Sequence, residues 1–247
     1  MNTQRNSARQ NPPRSADRPA AAKKRTGRTT LWINVGAVLA FVLAVVVIFL
    51  VTRPGSSGSG SADSDSAAAS VVEAVREDSH VVGEPGTGDV TLVEFLDFEC
   101  EACGAAFPFV ESLREKYAGD VTFVARYFPI PSHKNALNAA IAAESAARQG
   151  KFDEMYVMLF ETQKEWAEQQ DSKAELFRQY AEELGLDLTK YDADVADPTT
   201  EERVRSDQED GTALGVAGTP TFFLNGERLE LQSADDLVSA IDAALGR

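Results

Sequence analysis

Hydrophobic and polar positions fall into three regimes along the chain. Residues 31–51 (LWINVGAVLAFVLAVVVIFLV) are apolar throughout except for Asn34. At about 1.5 Å per residue this run is roughly 31 Å long as a helix, close to the hydrocarbon thickness of a bilayer. The flanking segments carry no such pattern: 1–30 is rich in Arg, Pro, Ser and Ala, and 54–70 (PGSSGSGSADSDSAAAS) is small and polar. Neither can bury a core, so a disordered tail and a flexible spacer are expected. From about residue 71 globular periodicities take over, and the roughly 177 residues that follow suffice for one domain.

That domain opens with a short extended lead-in around Val81-Val82. TLVEFLDF (91–98) reads as a buried strand, 103–117 as a helix with apolar residues at helical spacing, and VTFVARYFPI (121–130) as a second strand. A long helical stretch follows. In it Phe152, Met155, Tyr156 and Leu159 repeat at helical spacing, as do Leu176, Phe177, Tyr180, Ala181 and Leu184. These stripes, and Trp166, are read as core packing. TFFL (221–224), an Asn225-Gly226 turn and Arg228–Leu231 then predict a β-hairpin. Ser233 is placed to cap a last helix whose inner face is Leu237, Val238, Ile241 and Leu245. The order β-α-β, helices, β-β-α predicts an α/β domain with a mixed sheet and helices on both faces.

Charge sharpens the first regime. The chain has 24 basic and 39 acidic residues, a net charge of −15. Residues 1–30 hold eight Lys/Arg and one acid, which leaves 16 basic and 38 acidic residues beyond them. A basic flank before the apolar run predicts a cytoplasmic N-terminus, a single transmembrane helix at 31–52 and an extracytoplasmic domain at the cytoplasmic membrane. A cleaved signal peptide has a shorter apolar region and a small-residue cleavage site close by. Here the run of 21 is followed by Thr52-Arg53-Pro54, and the first Ala-x-Ala lies at 67–69, so an uncleaved anchor is expected. The organisation is therefore a basic tail (1–30), a membrane helix (31–52), a Gly/Ser linker (53–70) and a folded domain (71–247). An acidic body with no basic stripe argues against nucleic acid as a partner.

The chain has two cysteines, Cys100 and Cys103, spaced as Cys-Glu-Ala-Cys where the first strand gives way to the first helix. Backbone N–H groups and the helix dipole stabilise a thiolate there. Such a pair either cycles between dithiol and disulfide or supplies half a metal site. A site using both cysteines with His80 and His133 matches no usual zinc spacing, and both histidines are expected as surface or capping residues. An acidic, cysteine-poor domain outside the membrane meets an oxidising compartment, where partners must maintain a CxxC.

Strand, CxxC and helix, followed far downstream by Val216-Ala217-Gly218-Thr219-Pro220-Thr221-Phe222, resemble the thioredoxin superfamily. The helical block, at about 132–214, and the segment Phe128-Pro129-Ile130-Pro131-Ser132-His133 are similar to its DsbA-like branch, a thioredoxin-like mixed sheet with a helical insertion. The resemblance covers roughly 85–245. It implies Cys100 as the exposed nucleophile and Cys103 as the buried resolving thiol. It further implies a cis Pro220 packed against the pair, with the Thr219 backbone left to pair with an extended substrate. Glu94 stands where the DsbA-like pattern carries an acid for proton transfer with the inner cysteine. Alternation puts it on one face with Leu92 and Leu96, which predicts burial and a raised pKa; an exposed strand glutamate is the alternative.

The dipeptide departs from strongly oxidising relatives, which carry a histidine there. Glu101-Ala102 provides no cation, so a less extreme Cys100 pKa is expected. The implied activity is thiol:disulfide exchange, favoured in the oxidase direction, with unfolded exported chains as substrates. The implied partner is a membrane reoxidase of the DsbB or VKOR-like type, and no cofactor beyond the Cys100–Cys103 disulfide is called for. The same fold run as a reductase or isomerase, and a non-enzymatic metal-binding or chaperone-like module, are the alternatives.

Overall fold

Two strands with almost no exposed position form the centre of the domain. In the computed structural model, which describes residues 73–247, β1 spans His80–Val81, β2 spans Val90–Leu96 and β3 spans Val121–Tyr127. The tail, membrane helix and linker expected at 1–30, 31–52 and 53–70 lie outside the described residues. Among the described residues no helix is long and apolar enough to cross a membrane.

β2 and β3 pair in parallel, with Val93 opposite Val124, and read as near-continuous apolar runs because both faces are covered. Leu92 and Leu96 enter one core, Val93 and Phe95 the other. β4 (Thr221–Leu224) runs antiparallel to β2 and sets Phe222 opposite Glu94. β1 and β5 (Glu227–Arg228) close the edges, giving the order β1-β3-β2-β4-β5. The mixed sheet read from the sequence is therefore present, with its parallel pair at the centre.

Among the described residues eight helices pack around it: α1 (Glu101–Lys116), α2 (Ala136–Ala147), α3 (Phe152–Glu161), α4 (Gln163–Trp166), α5 (Ala174–Glu183), α6 (Leu188–Ala196), α7 (Pro198–Ala213) and α8 (Ala234–Ala244). Six of them, α2 to α7, lie between β3 and β4 and form the helical insertion. Its apolar stripes are core, as expected: Met155, Tyr156, Leu159, Trp166 and Phe177 are all buried in the larger cluster. On the other face α7 approaches the sheet at Gly211. A Cβ there would stand 2.8 Å from the Phe128 ring and 3.0 Å from that of Phe95, so the helix can sit this close only with glycine.

Element ends differ from the sequence reading for local reasons. β2 stops at Leu96, not 98, because Asp97 folds the chain into a turn: its side chain accepts the Glu99 N–H and its carbonyl that of Cys100. α1 consequently starts at Glu101, two residues earlier than read, and runs through Pro108. β3 ends at Tyr127, before Pro129 and Pro131, which have no N–H to continue a ladder. The second hairpin strand is Glu227–Arg228, shorter than the expected 228–231. Asn225 and Gly226 both take positive φ (51° and 85°), as a two-residue hairpin turn requires. Ser233 caps α8 in a reciprocal capping box with Asp236.

One buried ion pair ties the insertion to the central strand. Arg126 on β3 is fully buried, its Nε 2.5 Å from Asp207 Oδ1 and its Nη2 2.7 Å from Asp210 Oδ2 on α7. Asp207 Oδ2 also accepts the Tyr127 N–H at 3.1 Å. Asp207→Ala strands the guanidinium without its main partner, and the expected cost is about 3–5 kcal/mol in chemical denaturation. A loss below about 1 kcal/mol would show that the pair does not carry the α7–β3 junction.

Candidate active site

The turn between β2 and α1 is held by three side chains that take up its backbone groups. Asp97, fully buried, accepts the N–H groups of Glu99 (2.8 Å) and Ile130 (2.9 Å). Glu99, equally buried, accepts the N–H of Asn135 at 2.5 Å and that of Glu168 at 3.0 Å. Gln163, on α4, donates to the carbonyls of Phe98 (2.8 Å) and Cys100 (2.9 Å). Gln163 lies so close to α1 that a Cβ on Gly104 would stand on its Oε1, hence a glycine directly after the second cysteine. Asn135 extends the clamp, accepting the Lys173 N–H and donating to the carbonyls of Gln169 and Asp171.

Cys100 is the N-cap of α1 and Cys103 lies inside the helix's first turn; both are free thiols. Cys103 is completely buried and Cys100 nearly so, with 8% exposure, so the expectation of an exposed nucleophile is corrected to one that is almost covered. The two are electrostatically unequal. A hydrogen bond from the Cys103 thiol lowers the Cys100 pKa to about 5, against the opposing effect of burial; the Thr219 side chain and the N–H groups of Cys103 and Ala102 add to the lowering. That value falls between roughly 3.5 and 7, the range spanned by strong oxidases and thioredoxin, in line with a dipeptide lacking a cation. Burial first, then the bond to Cys100 and the Glu94 charge, push Cys103 well up.

Glu94 is buried on the face that carries Leu92 and Leu96, as alternation predicts. Burial, with smaller contributions from the charges of Glu111 and Cys100, raises its pKa to about 8. It borders a small cavity of about 10 Å³, also lined by Tyr156, Arg114 and Phe222, at the lower limit of room for one water.

The Thr219-Pro220 peptide bond is cis and lies against the pair: the Cys100 thiol donates to the Thr219 carbonyl at 3.4 Å. The Thr219 carbonyl is thus engaged in the dithiol form rather than left free. The Thr219 hydroxyl is buried without a partner among the described residues, which leaves it available to a thiolate. Pro220 also borders an open groove of about 360 Å³ between α1 and α8, with Ala105, Phe109, Phe222, Leu231 and Leu237 along its walls.

All five residues singled out in the sequence, Glu94, Cys100, Cys103, Thr219 and Pro220, therefore converge on one place. Both histidines depart from their expected roles. His80 is half-buried, stacked on Phe152 with centroids 4.1 Å apart, and its Nε2 is 2.7 Å from Glu144. His133 precedes α2 without capping it, and its Nδ1 is 2.7 Å from Asp97. Each pairs with a different carboxylate, so they do not join the cysteines in one ligand set. Among the described residues no three His, Cys, Asp or Glu side chains group as a metal site. Sequence reasoning gave no role to Asp97, Glu99, Gln163 or Asn135. The one signal was that Asp97 and Glu99, like Glu94, are acids inside an otherwise apolar run.

Comparison with known proteins agrees with this geometry. A family model described as Thioredoxin matches residues 75–243. A thioredoxin-like oxidoreductase from Silicibacter pomeroyi DSS-3 is 26% identical, with a TM-score of 0.59 over 71% of this chain and 97% of that one. Oxidised BdbD from Bacillus subtilis, 20% identical, superposes with a TM-score of 0.59 over 68% of this chain and 92% of its own. The Na(+)/H(+) antiporter NhaA 1 of Mycobacterium sp. (strain KMS) is 36% identical over 171 residues, 68% of this chain. The chain spans only about a quarter (27%) of that relative's length, and the antiporter name describes the relative. By its matched family, its sheet topology and its cis-proline-facing CxxC, the chain belongs to the thioredoxin superfamily, with the fold of the DsbA-like thiol:disulfide oxidoreductases.

Proposed function

We propose that the protein is a membrane-anchored, extracytoplasmic oxidoreductase that introduces disulfides into exported proteins. The supporting observation is the inequality of the two thiols at the start of α1. Cys100 is ionised down to about pH 5, while burial keeps Cys103 protonated. Stabilising the reduced form in this way makes the corresponding disulfide an oxidant.

In the forward reaction a substrate thiolate attacks Cys100 Sγ of the Cys100–Cys103 disulfide. The S–S bond breaks, its electron pair passes to Cys103, and Cys103 takes a proton from Glu94, which is neutral at pH 7 and is reprotonated from solvent. A second substrate thiolate then attacks the substrate sulfur of the mixed disulfide and expels Cys100 as a thiolate. Two electrons have moved from the substrate to the pair, and the two substrate thiol protons have gone to solvent. In the oxidised protein Cys100 has no S–H, so the Thr219 carbonyl is released to accept from an extended substrate chain lying in the apolar groove beside Pro220. A membrane quinone-linked reoxidase of the DsbB or VKOR-like type takes the two electrons, and the apolar run at 31–52 holds the domain beside it.

Equilibrating the full chain, in detergent micelles, with glutathione tests the direction. A potential of about −120 to −180 mV is expected; one near −270 mV would indicate a reductase instead. Cys100→Ser should abolish exchange and Cys103→Ser should accumulate the mixed disulfide. If Cys100→Ser exchanges thiols like the wild type, the pair is structural.

Glu94 carries a separate expectation. Its carboxyl has a folded pKa of about 8, above its ordinary value of 4.5, so unfolding releases a proton between those limits and stability falls as pH rises through them. Glu94→Gln should remove that slope, raising Tm at pH 8 more than at pH 4, while slowing exchange about 10²-fold. Unchanged exchange kinetics would exclude Glu94 from proton transfer.

A further inference from the structure

Two cavities meet at Arg114, and only the inner one has a part in the steps above. The inner cavity, of about 10 Å³, is bordered by Glu94, Arg114 and Tyr156 and otherwise by apolar side chains. Nothing hydrogen-bonds the Glu94 carboxyl among the described residues; burial and the charges of Glu111 and Cys100 are what act on it. The outer one is an open cleft of about 300 Å³ beside the C-terminal half of α1, with Glu84, Glu111 and Glu115 along its walls. Val82, Arg114 and Phe123 line both cavities and so form the partition between them. Arg114 is the charged member of that partition. Its Nη1 donates to both Glu111 carboxylate oxygens, at 2.8 and 2.9 Å, and its Nη2 lies 3.9 Å from Asp153 Oδ2. The backbone of Gly83 closes over it, with its N–H held by Asp153 Oδ2 at 2.7 Å, and a Cβ there would stand 2.5 Å from Nη2.

We propose that Arg114 is a positioning residue, a gate through which Glu94 exchanges its proton with water in the cleft while a substrate covers the cysteines. The inference rests on the proton-transfer role of Glu94 in the function proposed above. In the mixed disulfide a bound chain lies over Cys100 and in the groove beside Pro220, which closes that side to solvent. Phe222 separates the groove from the inner cavity, and a phenyl ring hands on no proton. Toward the cleft the partition is instead a long polar side chain with 18% exposure, latched by Glu111 and Asp153. A swing of its guanidinium into the cleft joins the cleft's water to the inner cavity, which has room for one water at most. Once Glu94 has passed its proton to the Cys103 sulfur, a hydronium proton from the cleft is handed through that water to the Glu94 carboxylate. One proton enters for each one given up, and no electrons move. Arg114 lies three turns of α1 beyond Cys103, roughly 16 Å along the helix axis, so a chain bound at the cysteines need not cover the cleft. The titratable groups that act on Glu94 or share its cavity are Cys100, Cys103, Glu111 and Arg114 from α1 and Tyr156 from α3.

Hydrogen–deuterium exchange of the Glu94 carboxyl tests this in the full-length chain in micelles, at about pH 6 where the group is protonated. The rate is read from the infrared C=O stretch, assigned with Glu94→Gln. Cys100 is first alkylated with a bulky maleimide, which its pKa of about 5 allows while Cys103 stays protonated. Alkylation covers the cysteine end without any redox cycling. Exchange is expected to continue at the rate of the unalkylated protein. It should rise roughly tenfold in Arg114→Ala, which removes the two carboxylate contacts that latch the gate, and fall back in Arg114→Lys. The backbone amides of β2 should keep their protection in both variants, which a merely loosened core would not allow. Carboxyl exchange that stops on alkylation, that is unchanged in Arg114→Ala, or that rises there only together with the β2 amides overturns the proposal. A protein that fails to exchange thiols with glutathione yet shows the expected pattern would refute the oxidoreductase function and leave the gate standing.

Discussion

A negative sulfur at Cys100 depends on the first turn of α1, where Cys103 and the backbone N–H groups point at it. Those donors hold a thiolate only if the turn is rigid, because a rotation of the helix start by even one residue would aim them elsewhere. Much of the surrounding structure restrains that turn. Asp97 takes the N–H groups of Glu99 and Ile130, Gln163 takes the carbonyls of Phe98 and Cys100, and Glu99 reaches across to Asn135 and Glu168. The helical insertion thus acts as a clamp on the site as well as a source of core.

Three carboxyl groups within six residues, Glu94, Asp97 and Glu99, are all buried and differ in what surrounds them. Glu94 lies among Leu92, Val110, Tyr156 and Phe222, and burial dominates, keeping it protonated near neutrality. Asp97 also has its pKa raised by burial, but the Ile130 and Glu99 N–H groups and His133 oppose the rise. Glu99 accepts two backbone N–H groups from the insertion. The same chemical group serves as a proton reservoir in one place and as a brace in another, according to whether donors meet it.

The two-sided sheet makes this arrangement possible. Because β2 is covered on both faces, Glu94 sits beneath the cysteines on the α1 side while Val93 and Phe95 pack under α7. The Arg126–Asp207 pair and the glycine contact at Gly211 fix α7 against that second face, and the chain leaving α7 leads through Val216 to the cis Thr219-Pro220 bond. The sheet therefore brings together residues more than a hundred positions apart.

What could be read without coordinates were the features that local sequence encodes. Period-two and helical apolar spacing marked β2, α3, α5 and α8; Asn225-Gly226 marked the hairpin; a CxxC between strand and helix, with Gly-Thr-Pro-Thr far downstream, marked the chemistry. Glu94 was legible because alternation sets it on one face with Leu92 and Leu96 and the family resemblance carries an acid at that position. The clamps were not. Gln163, Asn135 and His133 act on partners 34 to 65 residues away, or on several backbone groups at once, and nothing in their neighbours announces such partners. Strand and helix ends around the site were misplaced by about two residues for a local reason, since the Asp97 turn is closed by its bonds to the Glu99 and Cys100 N–H groups. Sequence determined which groups carry the chemistry; only tertiary structure decided which carboxylates stay protonated and which side chains brace the turn that holds the cysteines, because burial and hydrogen-bond partners are properties of packing.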